Sequence, residues 1–391
     1  MIHFSEAYEI VMGNCFSTDT GFVSFAESLN RVLAEDVKAD RDLPPFNRAA
    51  VDGYACRKED AGMDLTLKGL VRAGETPLFS IEKEECCKIM TGAIVPDGAD
   101  FVFMVEDAET TPGGKISFKG SPVKNNISFR GEDVKAGQVV LTAGKIITAR
   151  DIAVMASVGH VTVKVASRPR VGIISTGDEI VEPDDKPGLS EIRNSNAWQL
   201  LAQTWSAGGE GRYYGIAPDD EETTFSIVSE AMAENDIIIL TGGVSMGDYD
   251  FVPAVLKRAG VEILFDQVRV QPGKPTTFGR HKNGVVFALP GNPVSCFVQF
   301  EVLVKPFMYK MCGADWKPVI LPVPMAVRYE RKSTTRAAWV PVRITGDYRA
   351  EPVEYHGSAH ITAMPGAQGI VFMETGRKLL EKDEVVEVRF F

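Results

Sequence analysis

The chain has only five histidines and six cysteines in 391 residues, and no two cysteines form a C-x-x-C pair. Cys86 and Cys87 are adjacent, while Cys15, Cys56, Cys296 and Cys312 stand far apart. This spacing fits neither a disulfide framework nor a zinc site, and it suits a reducing cytosol. His356 and His360 are four apart, but the glycine and serine of "HGSAH" argue for a turn with two polar rings, not a helical metal pair. No apolar run is long enough to span a bilayer. The opening "MIHFSEAYEI" lacks the basic start and greasy stretch of a signal peptide. Positive charge is also short: 42 Lys and Arg against 53 Asp and Glu leave a net charge of −11. A chain so charged has no global attraction for nucleic acid or anionic membrane, and an anionic small ligand would need local positive charge. G-x-x-x-x-G-K-[ST] and a G-x-G-x-x-G opening a strand-helix unit are both missing, so neither a P-loop nor a dinucleotide fingerprint is supported. Only His281, in "RHKNG", lies near a strand end, so no Ser/His/Asp triad stands out.

What is present is a long globular chain whose texture changes along its length. Its length calls for two to four domains. Up to about Asp40 it reads as helical, with Phe25, Leu29, Val32 and Leu33 of "FAESLNRVLAED" on one face. From Leu43 to about Val134 the runs are short and β-rich, broken by Gly and Pro turns. "ITARDIAVMASVG" reads as a helix and "VTVKVASRP" as a strand. Between Arg170 and Cys312 buried strands alternate with helices, the pattern of a parallel sheet covered on both faces. From Lys317 short strands return, as in a small β-barrel or sandwich.

In a doubly wound sheet, ligands sit beyond the carboxyl ends of the strands. Four such ends are legible: "ISTGDE", "GIAPDD", "LTGGVSMGDYD" and "ALPGNPVS". Glycine at these turns lets backbone N–H groups approach an oxyanion closely. Glu179, Asp219 and Asp250 have the chemistry to gather around one hard cation such as Mg²⁺. Lys274, between two prolines in "VQPGKPTTFG", is a positive charge on a stiff mount, and Pro290 and Pro293 stiffen the loop before the last helix.

These segments, in order, resemble the MoeA and gephyrin E-domain family of molybdopterin molybdenumtransferases. "PPFNRAAVDGYA", "RAGE", "IMTGAIVPDGADFVFMVED" and "FRGEDVKAGQVVLTAG" have counterparts there. So do "STGDEIVEP", "IRNSNAWQL", "TGGVSMGDYDFV", "VQPGKPTTFG", "LPGNPVSCF" and "HGSAHITAMPGAQGI". The resemblance implies a multidomain α/β protein. Its parts are an elongated N-terminal linker and dimerisation region of mixed helix and strand (1–43 and 135–169) and a β-rich domain inserted in it (44–134). A doubly wound, MogA-like molybdopterin-binding domain (170–315) and a small C-terminal β-barrel (316–391) follow.

It also implies an activity: transfer of molybdate onto the dithiolene of adenylylated molybdopterin, dependent on Mg²⁺, with release of AMP. By the resemblance Asp52, Thr91, Glu179, Asp219, Asp250 and Lys274 are catalytic, with Glu179, Asp219 and Asp250 also holding the metal. Pterin nucleotide and molybdate fall to Gly177, Asp178, Asn196, Thr241, Gly242, Gly243, Ser245, Gly247, Pro275, Pro290, Gly291, Asn292, Pro293, Ser295 and Arg336. Asp133, in "RGED", matches another sensitive position. Further implications are a cytoplasmic homodimer whose active sites are built from both chains, and transient contacts with the adenylyltransferase and with molybdoenzyme chaperones. No nucleic acid or membrane partner is implied. Asn47, Ala49 and Gln271 depart from the family pattern; at Gln271 the family often carries a lysine, so one charge is missing beside Lys274. Two other readings are a molybdopterin adenylyltransferase, usually the strand-helix domain alone, and a gephyrin-like scaffold, which goes with a fused domain and a long linker.

Overall fold

The computed structural model describes residues 1–121, 124–243 and 252–391. It divides into two compact units: Asp36–Ala143 with Ala149–Thr162, and Met1–Glu35 with Gly144–Thr148 and Val163–Phe391.

The first unit is built on a six-stranded sheet in the order Phe101–Met104, Gly53–Cys56, Glu85–Ile89, Asp64–Val71, Ile116–Phe118, Ala108–Thr110. Alternation along these short strands sends Ala55, Cys87, Ile89 and Val102 into one core and Cys56, Cys86, Phe101 and Phe103 into another. All six cysteines of the chain are free, and burial pushes the Cys56 and Cys86 thiols up to about 12, so they act here as small apolar side chains.

In the second unit a helix does form near the N-terminus, at Phe4–Gly13, but the expected helical face of Phe25, Leu29, Val32 and Leu33 does not. Only a three-residue 3₁₀ turn, Phe25–Glu27, occurs there. Asn30 takes a left-handed conformation with φ 62°, which ends any helix. Beyond it Val32 and Leu33 pair as extended backbone with Ile146 and Val165, and both are buried while Leu29 stays exposed. Tertiary strand pairing overrides a helical period carried by only four residues.

The alternating region forms the sheet read from the sequence, with an addition. We label its strands β1 (Arg170–Thr176), β2 (Glu210–Ala217), β3 (Ile237–Thr241), β4 (Glu262–Phe265), β5 (Thr277–His281) and β6 (Gly284–Leu289). Their order is β2–β1–β3–β6–β5–β4. β2, β1, β3 and β6 run parallel; β5 and β4 extend the sheet antiparallel. One face packs Ile173, Ile239 and Phe287 against Leu200 and Val298, and the other packs Ile174, Ile238 and Val286 against Val228 and Val255. The covering helices are α1 (Asn196–Ser206), α2 (Glu221–Glu234), α3 (Val252–Arg258) and α4 (Pro293–Gln299). Each fully buried Val, Ile or Phe contributes about 1.5–3 kcal/mol, and the three inner parallel strands β1, β3 and β6 are buried almost throughout, while the edge strand β2 keeps Glu210 and Arg212 exposed.

A second six-stranded sheet lies C-terminal to this region. Ala337–Ile344 is flanked by Gly369–Met373 and Ala350–Pro352, and the sheet continues through Val385–Phe390 to Ile320–Pro324. Its last member comes from elsewhere: Val270–Gln271, between β4 and β5, pairs in parallel with Ala337 and Ala338. The approach to this pair is fixed by buried Arg331, whose guanidinium donates to the carbonyl oxygens of Arg377 (2.6 Å), Glu374 (2.6 Å) and Arg336 (2.7 Å). Replacing Arg331 by Leu removes all three bonds and leaves the Glu374 carbonyl oxygen with only the Arg377 N–H, at 3.2 Å. It should cost about 3 kcal/mol, read as a lower urea midpoint; a loss under about 1 kcal/mol would show that these bonds do not hold the turn.

Candidate functional site

The parallel register brings the carboxyl ends of β1, β3 and β6 side by side: Ser175 lies opposite Thr241, and Thr241 opposite Leu289. A cavity of about 590 Å³ opens there. Its wall includes Glu179 from the first strand end, Thr241, Gly242 and Gly243 from the second, and Pro290, Gly291, Asn292 and Pro293 from the third. Gly242 has φ 97°, and a Cβ there would lie 2.5 Å from the Thr176 carbonyl oxygen, so only glycine lets the two turns pass this closely. Asn196, at the start of α1, ties two of the ends together. Its Nδ2 donates to Thr241 Oγ1 and to the Gly291 carbonyl oxygen, both at 2.8 Å. Its Oδ1 is buried without a hydrogen-bond partner among the described residues.

Some wall residues escape a reading by strand ends. Asn194 accepts from Ser175 Oγ at 3.1 Å and from the Ala197 N–H at 3.2 Å, and donates to Tyr213 Oη at 2.7 Å. Tyr213 in turn donates to Glu182 at 2.6 Å, and burial, then this carboxylate, raises its pKa. The chain locks the wall from behind. The "NSN" at a helix start is the available signal for Asn194; Ala359 and Ile361, which also line the cavity, lie in "HGSAHITAMPGAQGI", a segment marked only by the family resemblance and not by strand-end chemistry.

The acids divide. Glu179 lines the cavity. Asp178 accepts the Asp219 N–H at 2.9 Å, bracing one strand end against the next. Asp220 caps α2, its Oδ2 accepting from Thr223 Oγ1 at 2.5 Å and from the Thr223 N–H at 2.8 Å, and these bonds hold its carboxyl below the usual range. Asp219 is exposed and makes no side-chain hydrogen bond or ion pair among the described residues. Carboxylates at strand ends are apt donors for a hard cation. Yet no three His, Cys, Asp or Glu side chains converge on one point among the described residues. Ser245, Gly247 and Asp250 lie outside them.

The loop after Val270–Gln271 brings positive charge. Gln271 and Lys274 are exposed, and Lys274 has no carboxylate partner among the described residues. Pro275, next to it, lines the cavity. Arg336 sits one residue before the strand that pairs with Val270–Gln271, and its Nη1 donates to the Val270 carbonyl oxygen at 3.4 Å. Beneath the loop lies fully buried Gln299, donating to the Pro272 carbonyl oxygen at 3.2 Å. Gly273 has φ 111°, and a Cβ there would be 2.1 Å from Gln299 Nε2. Ser295 is buried in the first turn of α4; it lies off the cavity wall, as do Gly177 and the exposed Asp178 and Asp219.

In the other unit, Asp52 Oδ1 accepts from the Thr91 N–H at 2.7 Å and from Thr91 Oγ1 at 2.8 Å. The backbone bond and then the hydroxyl lower the Asp52 pKa, so it is an anion at neutral pH. Asp133 is exposed, its N–H donating to the Leu43 carbonyl oxygen at 3.0 Å.

Comparison with known proteins matches the MoeA N-terminal region (domain I and II) to residues 2–159, a probable molybdopterin binding domain to 172–310, and the MoeA C-terminal region (domain IV) to 323–391. The chain belongs to the MoeA family. A molybdopterin molybdenumtransferase of Staphylococcus epidermidis is 33% identical over 400 residues, covering 99% of this chain and 95% of the relative. That of Bacillus subtilis (strain 168) is 33% identical over 385 residues, covering 95% and 89%. The crystal structure of a molybdopterin biosynthesis MoeA protein from Pyrococcus horikoshii OT3 matches with a TM-score of 0.87 at 30% identity, covering both chains completely. The multidomain α/β architecture is therefore that of the family.

Asn196 is the residue whose loss should loosen the family's strand-end cavity most simply. Asn196→Ala removes both bridging bonds and leaves the Gly291 carbonyl without its donor. The expected cost is about 2 kcal/mol in urea unfolding; an unchanged midpoint would mean that Asn196 does not hold the strand ends together.

Proposed function

We propose that this protein is a molybdopterin molybdenumtransferase. It takes adenylylated molybdopterin and molybdate, exchanges molybdate oxygens for the dithiolene sulfurs, and hydrolyses the adenylate linkage with release of AMP. The observation that carries this reading is the junction of a glycine-lined strand-end cavity with an adjoining cationic loop, through Pro275. The cavity suits a phosphorylated, partly apolar ligand: backbone at Gly242, Gly243 and Gly291 and the α1 start at Asn196 on one side, Ile180 and Ile192 on another. Lys274 and Arg336 supply the positive charge that a molybdate dianion needs on a chain of net charge −11. Ser295 and Pro275 complete the oxyanion pocket in this reading, and Gln271, uncharged, leaves it one cation short of the family pattern.

We assign Glu179, Asp219 and Asp250 to a magnesium ion. When bound, it supplies charge neutralisation at phosphoryl oxygens. Glu179 stands on the cavity wall and Asp219 keeps its carboxylate uncommitted, whereas Asp220 is used as a cap. We assign the pterin nucleotide to Gly177, Asp178 and Thr241, and, by their place in the sequence, to Ser245 and Gly247. Asp250→Asn should leave the fold and the affinity for pterin nucleotide within a few-fold and stop AMP release, since loss of a metal ligand removes several kcal/mol of transition-state stabilisation. Normal AMP release by this variant in the presence of Mg²⁺ would remove Asp250 from the site.

We further propose a cytoplasmic homodimer in which Asp52 and Thr91 of one chain complete the site of its partner. The linker region (1–43 and 135–169) carries the dimer contact and the 44–134 domain carries Asp52 and Thr91. The 170–315 domain binds the pterin, and the 316–391 domain supplies Arg336. Substrate and product pass by transient contact with the adenylyltransferase and with molybdoenzyme chaperones. No helix of the described residues is long and apolar enough to cross a membrane. Complementation tests the shared site. Asp52→Ala and Asp250→Ala homodimers should each be nearly inactive. After co-refolding in equal amounts about half the dimers are mixed, and each has one intact site, so roughly a quarter of wild-type activity should return. Activity that stays at the level of the single variants would mean that each site is built within one chain.

A further inference from the structure

At the opposite ends of the parallel strands, where β1 begins at Arg170 and β2 at Glu210, the structure has a second cavity, of about 540 Å³. Three arginines and three acids line it: Arg31, Arg168, Arg170, Asp19, Glu210 and Asp236. The acids gather on Arg170. Asp236 accepts from its Nη2 at 2.8 Å, its Nε at 3.2 Å and its backbone N–H at 2.9 Å. Glu210 and Asp19 add to the negative potential around the same guanidinium.

Arg31 and Arg168 are placed differently. Both are half-buried. Arg31 Nη2 donates to the Ala166 carbonyl oxygen at 2.8 Å, and Arg168 Nη1 donates to the Gly208 carbonyl oxygen at 3.2 Å. Among the described residues neither has a carboxylate within ion-pair distance. A guanidinium has five N–H donors, so most of theirs are unspent. Both line the one cavity, and burial, then the like charge of Arg168, lowers the pKa of Arg31. Two half-buried like charges held by carbonyl bonds, with no carboxylate within ion-pair distance among the described residues, carry an electrostatic cost that an anion between them would lower. Paired forks of this kind match the oxygens of a phosphate group.

We propose that Arg31 and Arg168 form a binding site for a phosphate group, as free phosphate or as the phosphate of a small monoester, remote from the strand-end cavity. The test is calorimetry on the full chain with inorganic phosphate and, separately, glycerol 3-phosphate, at fixed ionic strength. Saturable binding is expected for at least one. The affinity should fall at least tenfold in Arg31→Gln and in Arg168→Gln and stay within twofold in Lys274→Gln, which disables the oxyanion loop instead. Arg168→Lys keeps a charge and a donor for Gly208 but loses the fork. It is read if the Gln variant does not fold, and should weaken binding at least threefold. Binding by both ligands identifies the bare phosphate group as what is recognised, and binding by the ester alone identifies a carried phosphate; either supports the site. No saturable binding overturns it. So does binding lost in Lys274→Gln but kept in the arginine variants. Unchanged phosphate affinity with a changed sedimentation coefficient in the arginine variants also overturns it, since the pair would then serve contact between copies of the chain.

Discussion

The parallel register of β1, β3 and β6 is the constraint on which the rest of the candidate site depends. With Ser175, Thr241 and Leu289 level, the chain must leave three adjacent strands at one height. The turns that follow are then crowded, and the crowding selects their residues. Gly242 passes the Thr176 carbonyl with no room for a side chain, and Asn196 fills the remaining gap with two donated bonds. The buried apolar strands supply the energy that holds this arrangement, and the polar residues at their ends give it shape.

The second constraint is the parallel pairing of Val270–Gln271 with the C-terminal sheet. Two residues anchor one side of the loop that carries Lys274, while β5 takes the other side back into the doubly wound sheet. The loop is thus stretched between two sheets, with Gln299 packed under Gly273. A flexible lysine on such a mount keeps its charge in place at low entropic cost. Arg336 arrives at the same place because it precedes the partner strand, and Arg331 pins its backbone.

Much of this is legible in the sequence, for identifiable reasons. Near-continuous apolar runs such as Val171–Ile174 and Ile237–Leu240 can only be buried parallel strands, and glycine with acids after them marks their ends. Glu179, Thr241, Gly242 and Pro290 can therefore be grouped from the order of residues alone. The helical reading of residues 25–33 fails because a four-residue period cannot reveal that Asn30 turns left-handed and that Val32 and Leu33 have extended partners far away. The β4 and β5 strands are hidden by the Pro-Gly loop between them. Asp219 and Asp220 look alike in sequence; only the cap geometry separates them. Gln299 gives no local signal, and Ala359 and Ile361 give one only through the family resemblance of their segment, since each matters through a part distant in the chain.

The central claim is that oxyanion chemistry takes place where the cationic loop meets the strand-end cavity. Crystals of the protein soaked in molybdate and measured at the molybdenum absorption edge test it most directly. The account predicts an anomalous peak beside Pro275, within reach of Lys274 Nζ and the Arg336 guanidinium. Molybdenum bound elsewhere, with that pocket empty at saturating molybdate, would contradict it.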